Sequence, residues 1–260
     1  THVETLIKKQ GRVREVASGP NGNIYIALNT RDPNSGALYQ MVPLPEARWT
    51  SLFNGRDLSG WDVRNGTSTV LVDDGAIVAF HQDTSGHTYL TTEKIYSDFI
   101  LELDVKVVGD LNSGILLRGV SDPKIRNGKV HGYQMEIDQS NRQWTGGIYE
   151  EMGRGWLYSL EGKAEAQMAY KPSDWNHYRI EAIGEHFRIW VNGIPTLNMA
   201  DKKTTEGVIG FQIHNLPKNG GGGAVYIRNI RIVSEDAGNS IQSIAIPEVV
   251  TKEPASTGES

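Results

Sequence analysis

The chain has 260 residues, 38% of them hydrophobic, which suits one large β domain or two small ones. A net charge of -5 without a Lys/Arg run argues against nucleic acid as the main partner, because phosphate binding needs a basic surface. The chain has no cysteine, which excludes disulfides, zinc–thiolate sites and thiol catalysis. No apolar run is as long as a membrane span, so we expect no insertion into a membrane.

The first 45 residues predict a short N-terminal β segment. Their pattern predicts two strands joined by a turn over 11–29 and a third strand over 36–42. Three short strands cannot bury a sheet face by themselves. We therefore expect the segment 1–45 to pack on another domain or to derive from a larger one.

Residues 49–233 are dense in strand signals and lack any long helical period. Over 99–107 the odd positions are all apolar and the even ones are mostly charged, which predicts a half-buried strand. Strands over 179–183 and 187–191 flank a short Gly-containing loop and predict a hairpin. Regular short strands separated by Gly turns predict an antiparallel β-sandwich of the jelly-roll type.

The last third of the chain adds three local signals. Asn192-Gly193 is the strongest short signal for a further hairpin turn. The alternation of the strand over 224–233 slips near Asn229, which predicts a β-bulge. Residues 234–260 are rich in Ser, Glu, Gly, Pro and Thr, and we predict a flexible C-terminal tail there.

Eight short pieces of the sequence match one family in that family's own order. They are Gly132-Tyr-Gln-Met-Glu-Ile-Asp138 and the stretches 52–61, 112–118, 145–149, 175–180, 190–193, 209–214 and 227–232. Together they resemble the 3-keto-disaccharide hydrolase domain family, a group of jelly rolls of bacterial sugar metabolism. The resemblance implies an all-β, concanavalin A-like antiparallel β-sandwich and a saccharide ligand.

Residues 11–43 resemble a different family. The stretch Arg14-Glu-Val-Ala-Ser-Gly-Pro-Asn-Gly-Asn-Ile-Tyr25, followed by Gly36-Ala-Leu-Tyr39, is similar to the last blade of the soluble glucose/sorbosone dehydrogenase β-propellers. One blade cannot hold the quinone cofactor of that family, so we expect a remnant, with a fused or associated sugar dehydrogenase as partner. The start at Thr1 instead of Met indicates a processed or truncated chain, and we expect a bacterial periplasmic or extracellular protein.

Strand parity selects a candidate binding face. Alternate residues of a strand point to opposite sides, and the strands at 113–118, 132–138 and 209–214 each place polar side chains on one side. If these strands are neighbours in the concave sheet of a jelly roll, six polar side chains converge: Arg118, Gln134, Glu136, Asp138, Gln212 and His214. The competing interpretations are a solvated sheet face, an ion pair between Arg118 and the carboxylates, and a hydrogen-bonded edge position for His214.

The Gly-rich loop 149–156 adds candidate contacts to a saccharide. It holds two acids, an Arg and two aromatics, a composition that suits ligand binding at the rim of a sandwich. We expect the loop to contribute Tyr149, Glu150, Arg154 and Trp156. The alternative is a surface turn with a buried Trp156.

The pair Glu136-Ile-Asp138 is similar to part of the Glu-x-Asp-x-x-Glu site of laminarinase/lichenase-type glucanases, which share the fold class. Here the position of the last acid holds Asn141, or Ser140 in the tighter spacing of that site. Retaining hydrolysis needs two carboxyl groups about 5 Å apart on either side of the scissile bond, whereas residues at i and i+2 of a strand point the same way. Ordinary retaining hydrolysis is therefore disfavoured, unless Glu150 or Glu151 supplies the second acid.

The family resemblance implies another chemistry. A sugar oxidised to a ketone at C3 has an acidic C2 proton, and its removal lets the glycosidic oxygen leave from C1, after which water adds. This elimination and hydration needs a general base, a donor or cation at the C3 oxygen, and an acid for the leaving group. Glu136 or His214 suits the base and Arg118 the oxyanion role, with or without a divalent metal held by the carboxylates.

The alternative function is a non-catalytic, lectin-like carbohydrate-binding module of a larger surface or periplasmic protein. Trp144, Tyr149 and Trp156 favour this interpretation, since sugar-binding sandwiches use exposed aromatic platforms. A structural or adhesion domain is a third hypothesis. Aromatic platforms on the binding face would favour binding alone, whereas an Arg among carboxylates would favour catalysis.

Overall fold

In the computed structural model the chain divides into two units, Thr1–Glu46 and Ala47–Ser260. The structure describes residues 12–19, 23–29, 36–41, 47–81, 86–122, 124, 128–215 and 222–251. The first unit is an antiparallel sheet of three strands in chain order, β1 Arg12–Ser18, β2 Ile24–Asn29 and β3 Gly36–Met41. These are the three strands predicted for the N-terminal segment. Its likeness to a propeller blade stays a prediction.

The second unit contains a seven-stranded antiparallel sheet, here called the front sheet. Its strands are β5 Trp61–Asn65, β8 Thr88–Tyr96, β10 Ser113–Val120, β11 His131–Ile137, β12 Ile148–Glu151, β13 Gly155–Tyr158 and β17 Gly207–Ile213. Their order across the sheet is β13-β12-β11-β10-β17-β8-β5. The three strands predicted to carry the binding face, β10, β11 and β17, are therefore direct neighbours, with β10 in the middle.

A nine-stranded sheet, here called the back sheet, forms the second layer. Its strands are β4 Thr50–Ser51, β6 Thr69–Asp73, β7 Ala76–Phe80, β9 Phe99–Gly109, β14 Asn176–Ile183, β15 His186–Val191, β16 Ile194–Ala200, β18 Gly223–Val233 and β19 Val249–Val250. Their order is β19-β16-β15-β14-β9-β18-β7-β6, and β4 pairs with β18. The unit also has a short helix α1, Ala164–Gln167, and a 3-10 helix, Ala237–Ser240. Among the described residues, no helix is long and apolar enough to cross a membrane.

One continuous apolar core joins the two sheets. On β9, Leu101, Leu103 and Val105 are at most 1% exposed and belong to this core. On the front sheet, Ile115 of β10 and Met135 of β11 meet them in the same cluster. The period-2 pattern predicted for 99–107 is thus confirmed. The β-sandwich predicted for the main part of the chain is confirmed as well.

Two local predictions, a hairpin turn and a β-bulge, are also confirmed. Between β15 and β16, Asn192 has φ 51° and Gly193 has φ 81°, the left-handed pair that a two-residue hairpin turn requires. In β18 the pairing with β9 shifts register between Arg228 and Arg231, and Asn229 in this gap has φ 55°. This is the β-bulge that the slipped alternation predicts.

Residues 234–251, which composition predicts to be a flexible tail, contact the back sheet. The Arg179 Nη2 donates to the Ser240 carbonyl at 2.9 Å, and the Asn198 Nδ2 donates to the Ile246 carbonyl at 2.9 Å. Further on, β19 pairs in parallel with β16, and the Thr251 hydroxyl donates to Asp201. Polar side chains of the back sheet thus donate hydrogen bonds to backbone carbonyls of this segment, and the composition of the segment alone does not reveal these contacts. Residues 252–260 of the predicted tail lie outside the described residues.

The hydroxyl group of Tyr178 lies in the core, and its removal by mutation tests this packing. Tyr178 is 0% exposed, and its hydroxyl has no hydrogen-bond partner in the described part of the chain. Since an unpaired buried polar group costs stability, we expect Tyr178→Phe to raise the free energy of unfolding by about 1 kcal/mol, measured by urea denaturation. Tyr133→Phe is the matched control and should lower it, because the Tyr133 hydroxyl donates to Asp201. A loss of stability in Tyr178→Phe would contradict this account.

Candidate functional site

The outer face of the front sheet carries a cavity of about 240 Å³. Carboxyl, amide, imidazole and aromatic side chains line it: His87, Asn112, Gln134, Glu136, Arg142, Tyr149, Glu151, Trp156, Gln212 and His214. The cavity brings together six of the ten side chains predicted from the sequence, namely Gln134, Glu136, Gln212, His214, Tyr149 and Trp156. The other four lie outside it: Arg118, Asp138, Glu150 and Arg154.

Strand parity and one glycine build the floor of the cavity. On β11, Gln134 and Glu136 point outward, while Met135 between them belongs to the core. On β10, Gly114 pairs with Glu136 on one side and with Gln212 of β17 on the other. A Cβ atom at position 114 would lie 2.5 Å from the Cδ of Gln134. The missing side chain therefore leaves the space in which Gln134 lies across β10.

Amide hydrogen bonds hold this floor in place. The Gln134 Nε2 donates to Glu136 Oε2 and to Gln212 Oε1, each at 3.1 Å. The Asn112 Nδ2 donates to Glu136 Oε1 at 2.8 Å, and the Gln212 Nε2 donates to the Tyr89 hydroxyl oxygen at 3.2 Å. The Gln134 Oε1 is buried and has no hydrogen-bond partner within the described ranges. An unpaired buried acceptor is costly, and a ligand hydroxyl would satisfy it.

Burial sets the protonation of the two carboxyl groups in the cavity. It raises the pKa of Glu136, and the charges of Asp138 and Glu151 add to the rise, against the opposing effect of the amide hydrogen bonds. Burial also raises the pKa of Glu151. A carboxyl group with a raised pKa keeps its proton closer to neutral pH, and it is a stronger base once ionised. Both properties suit general acid–base catalysis.

Two histidines stand at one side of the cavity, with ring centroids 4.1 Å apart. Burial, followed by the charges of His214 and His81, lowers the pKa of His87 to about 4, so the His87 ring is neutral at neutral pH. Its Nδ1 accepts the Asn215 backbone N–H at 3.3 Å, which assigns the ring proton to Nε2. The Nδ1 of His214 lies 2.9 Å from the Asn215 carbonyl oxygen and donates to it. A neutral His214 therefore holds its free lone pair on Nε2.

Aromatic rings form the opposite part of the lining. Tyr149 and Trp156 meet edge to face with centroids 5.6 Å apart, and Trp144 supports Trp156 at 4.8 Å. The guanidinium carbon of Arg142 lies 5.6 Å from the centre of the Trp156 ring. The apolar faces of such rings, with polar groups beside them, suit the mixed surface of a sugar.

The predicted position of Arg118 on this face is wrong. Its side chain is 0% exposed, and it pairs with Asp98 at 3.1 Å. The guanidinium also donates, at distances between 2.6 and 3.0 Å, to the backbone carbonyls of Ser97, Ala182 and Gly184. The cause is a register shift in β10 after Leu117, where Arg118 has φ 54° and the alternation reverses. Arg118 thus ties the front sheet to the back sheet and does not reach the cavity.

Asp138 lies just beyond β11 and orders the loop that follows. Its carboxylate accepts the Ser140 N–H at 3.0 Å and the Trp144 N–H at 3.4 Å, and it pairs with the Arg142 Nε at 3.2 Å. Burial alone would raise the pKa of Asp138, but the hydrogen bonds from Ser140 and the charge of Arg142 outweigh it, and the pKa is lowered. The role predicted for Asp138 as a direct sugar contact is therefore not supported by its position. Its contacts hold the loop that brings Arg142 to the cavity.

Glu150 and Arg154 lie on the other side of the β12–β13 hairpin. Glu151 lines the cavity, and Glu150 points the opposite way, where it forms ion pairs with Arg154 and Lys203. Arg154 also donates two hydrogen bonds to Asp201, at 2.8 and 3.1 Å. Arg154, Asp201 and Lys203 line a separate cavity of about 670 Å³. Although this cavity is larger, these three charged groups already have partners, which disfavours it as the reaction site.

Four lining residues were outside the predicted set: His87, Asn112, Arg142 and Glu151. Strand parity applied to β12 finds Glu151, because it shares a face with Tyr149 two residues before it. Asn112 is the first residue of one of the family-like stretches. His87 and Arg142 carry no local signal, since the order of the strands brings His87 to the cavity and the loop held by Asp138 brings Arg142 there.

Comparisons with known proteins bear on the second unit. A family model described as a 3-keto-alpha-glucoside-1,2-lyase-like domain matches residues 48–233. A search of curated proteins gave no match. A candidate glycosyl hydrolase from Parabacteroides distasonis is 21% identical with a TM-score of 0.53, and the match covers 72% of this chain and 94% of that one. This likeness shows that the two proteins share the sandwich fold.

Two further solved structures are similar. A second candidate glycosyl hydrolase from Parabacteroides distasonis is 22% identical with a TM-score of 0.49, over 72% of this chain and 99% of that one. The carbohydrate-binding module CBM66 from Bacillus subtilis is 18% identical with a TM-score of 0.47, over 66% of this chain and 94% of that one.

The position of Arg118 makes a prediction about stability. Arg118→Ala leaves buried carbonyls without donors, so we expect it to lower the free energy of unfolding by about 3 kcal/mol or more in urea denaturation. Arg142→Ala is the matched control and should change stability little, because the Arg142 side chain is 48% exposed. An Arg118→Ala protein as stable as the wild type would refute the structural role.

The raised pKa of Glu136 makes a prediction about pH. A carboxyl group whose pKa is raised by folding stabilises the fold below its unfolded pKa, and this stabilisation is lost as the pH rises through the folded pKa. Glu136→Gln removes that loss. We therefore expect its melting temperature to exceed that of the wild type at pH 8, and the margin to shrink towards pH 4.5, in thermal denaturation scans.

The exposed Glu161 provides the control for removing one charge, as Glu161→Gln. A margin for Glu136→Gln that is the same at both pH values, or larger at the lower one, would contradict the prediction.

Proposed function

Because the chain belongs to the family of 3-keto-alpha-glucoside-1,2-lyase-like domains, we propose that it cleaves the glycosidic bond of 3-keto-glycosides in the front-sheet cavity. The observation behind this proposal is that two carboxyl groups with raised pKa values, the buried Glu136 and the half-buried Glu151, line the same cavity as His214. The cavity, at about 240 Å³, is smaller than the ~300–1,000 Å³ of sites for drug-sized ligands. This size suits one sugar unit.

The proposed reaction begins with removal of the C2 proton. The Nε2 of His214 takes this proton, and the electrons of the C2–H bond form an enolate with the C3 carbonyl. The enolate then expels the glycosidic oxygen from C1, which leaves a C1=C2 double bond, while Glu151 in its protonated form gives its proton to the departing oxygen. Addition of water, with hydroxide to C1 and a proton to C2, completes a net hydrolysis.

Other side chains are assigned to binding and charge stabilisation. The Nε2–H of neutral His87 is proposed to donate to the developing oxyanion at C3, the role that the sequence assigned to Arg118. The Gln134 Oε1 is proposed to accept a sugar hydroxyl, because it is a buried acceptor in need of a donor. Glu136 keeps the amide floor in place, and Tyr149 and Trp156 contact the apolar face of the ring.

The predicted divalent metal stays a prediction. Among the residues that the structure describes, no group of three or more His, Cys, Asp or Glu side chains is arranged to hold a metal ion. No step of the proposed reaction is therefore assigned to a metal.

The proposal is tested with a chromogenic 3-keto-glucoside whose leaving group is 4-nitrophenol. We expect the wild type to release nitrophenol, and His214→Ala and Glu151→Gln to lower kcat about 100-fold or more, as loss of a general base or acid does. His186→Ala is the matched control, because His186 is 42% exposed on the back sheet and pairs with Glu248. A wild type that leaves the 3-keto-glucoside intact, with and without Mg²⁺ or Mn²⁺, would overturn the proposal.

The second candidate function is carbohydrate binding without cleavage. The edge-to-face pair of Tyr149 and Trp156 favours it, since aromatic rings offer an apolar surface on which a sugar ring can pack without any reaction. Under this alternative, calorimetric titration finds the same affinity for an unmodified glucoside in wild type and His214→Ala. Trp156→Ala then abolishes binding, and no 3-keto-glucoside is turned over.

The proposed substrate implies a preceding oxidation. A glycoside becomes a 3-keto-glycoside only when its C3 hydroxyl is oxidised, so a sugar dehydrogenase must supply the substrate. We propose that this enzyme is the partner suggested by the sequence of residues 11–43, and that both act in the bacterial periplasm or outside the cell.

A further inference from the structure

A second polar cleft lies on the back sheet, on the outer face that points away from the core. Its volume is about 530 Å³, and we call it the back cleft; it is lined by Trp49, Ser51, Asp104, His177, Asn229, Ile230 and Arg231. None of these side chains belongs to the front-sheet cavity. We propose that the back cleft is a second binding site for a neutral saccharide, and this proposal does not rest on the cleavage reaction.

A carboxylate with two oriented neighbours forms the centre of the back cleft. Asp104 on β9 stands opposite His177 on β14, and the His177 Nδ1 donates to Asp104 Oδ1 at 2.9 Å. From the other side, the Asn229 Nδ2 donates to Asp104 Oδ2 at 2.7 Å. Because these bonds use the His177 Nδ1 and the Asn229 Nδ2, the His177 Nε2 and the Asn229 Oδ1 remain available to a ligand. The His177 side chain is 51% exposed, so its Nε2 is accessible.

The bulge in β18 creates this arrangement. Asn229 sits in the register shift between Arg228 and Arg231 with φ 55°, a left-handed conformation that Asn tolerates better than most residues. The extra residue turns the Asn229 amide towards Asp104, and the strand would otherwise place only Arg228 opposite it. A bulge that re-aims a side chain in this way is common beside functional sites.

An aromatic residue and a paired cation form the remaining wall. The guanidinium carbon of Arg231 lies 4.5 Å from the centre of the Trp49 ring. Arg231 is held in place by Glu102, to which its Nε and Nη2 donate at 3.0 and 2.6 Å. Trp49 thus presents a supported indole beside hydrogen-bonding groups, the combination that binds the apolar face and the hydroxyls of a sugar together.

The charges of the back cleft indicate that the ligand is neutral. Asp104 is bonded to His177 and Asn229, and Arg231 is bonded to Glu102, so each formal charge in the lining already has a partner. An ionic ligand would have to displace one of these pairs. Hydroxyl groups, by contrast, can both donate and accept, and they fit the remaining acceptor on Asn229 and the free nitrogen of His177.

The experiment is affinity electrophoresis of the intact chain in native gels that contain soluble starch, laminarin or hydroxyethyl cellulose. We expect at least one of these neutral glucans to retard the wild type. His177→Ala and Asn229→Gly should weaken that retardation about five-fold or more, which corresponds to the loss of about one hydrogen bond each. The glycine variant keeps the left-handed backbone, so its effect reports on the amide alone.

Two controls separate the sites. His186→Ala removes a histidine from the same sheet outside the back cleft and should migrate as the wild type does. Trp156→Ala in the front-sheet cavity should leave retardation in place, and His177→Ala should leave turnover of the 3-keto-glucoside unchanged.

The proposal is overturned if no glucan retards the wild type. It is also overturned if Trp156→Ala alone abolishes retardation, or if His177→Ala and Asn229→Gly both bind as the wild type does. A chain that binds glucan through the back cleft and leaves 3-keto-glucosides intact would refute the proposed reaction alone.

Discussion

At Gly114 the front sheet has no side chain on its outer face, and the amide of Gln134 fills the space. From there it reaches Glu136 on its own strand and Gln212 on β17, although β10 separates the two strands. Adjacent strands are about 4.8 Å apart, and β11 and β17 are not paired with each other. The Gln134 side chain nevertheless links these two strands across β10. The hydrogen bonds that hold Glu136 and Gln212 to Gln134 both depend on this close approach.

Two glutamates show how hydrogen-bond partners decide the ionisation of a buried carboxyl group in this sandwich. Glu102 is 7% exposed and Glu136 is 6% exposed, so burial disfavours ionisation of both. At Glu102 the bonds and charges of Arg231 and Arg179 outweigh burial, and its pKa is lowered. Within the described ranges Glu136 has only neutral amides as hydrogen-bond partners, and its pKa is raised by burial. The anion is therefore favoured at Glu102 on one sheet and disfavoured at Glu136 on the other.

Strand parity predicted much of the cavity from the sequence, because a regular strand of known register fixes which side chains share a face. It placed Gln134, Glu136 and Gln212 together correctly. It failed at Arg118, where a left-handed residue reverses the alternation, a backbone event that no residue pattern in β10 marks. Strand parity could not predict His87 for a different reason. The position of His87 depends on which strands become neighbours, and packing across the whole sandwich determines the order of the strands.

The contacts of the C-terminal strand reach further than its two residues indicate. The Thr251 hydroxyl bonds to Asp201, Asp201 holds Arg154, and Arg154 holds Glu150, the neighbour of Glu151 in the hairpin. This relay consists of side chains and bypasses the intervening backbone. A displacement of Thr251 would therefore be transmitted through these contacts to the β12–β13 hairpin, which lines the cavity. Such a linkage couples the position of Thr251 to the shape of the cavity without any change to the residues inside it.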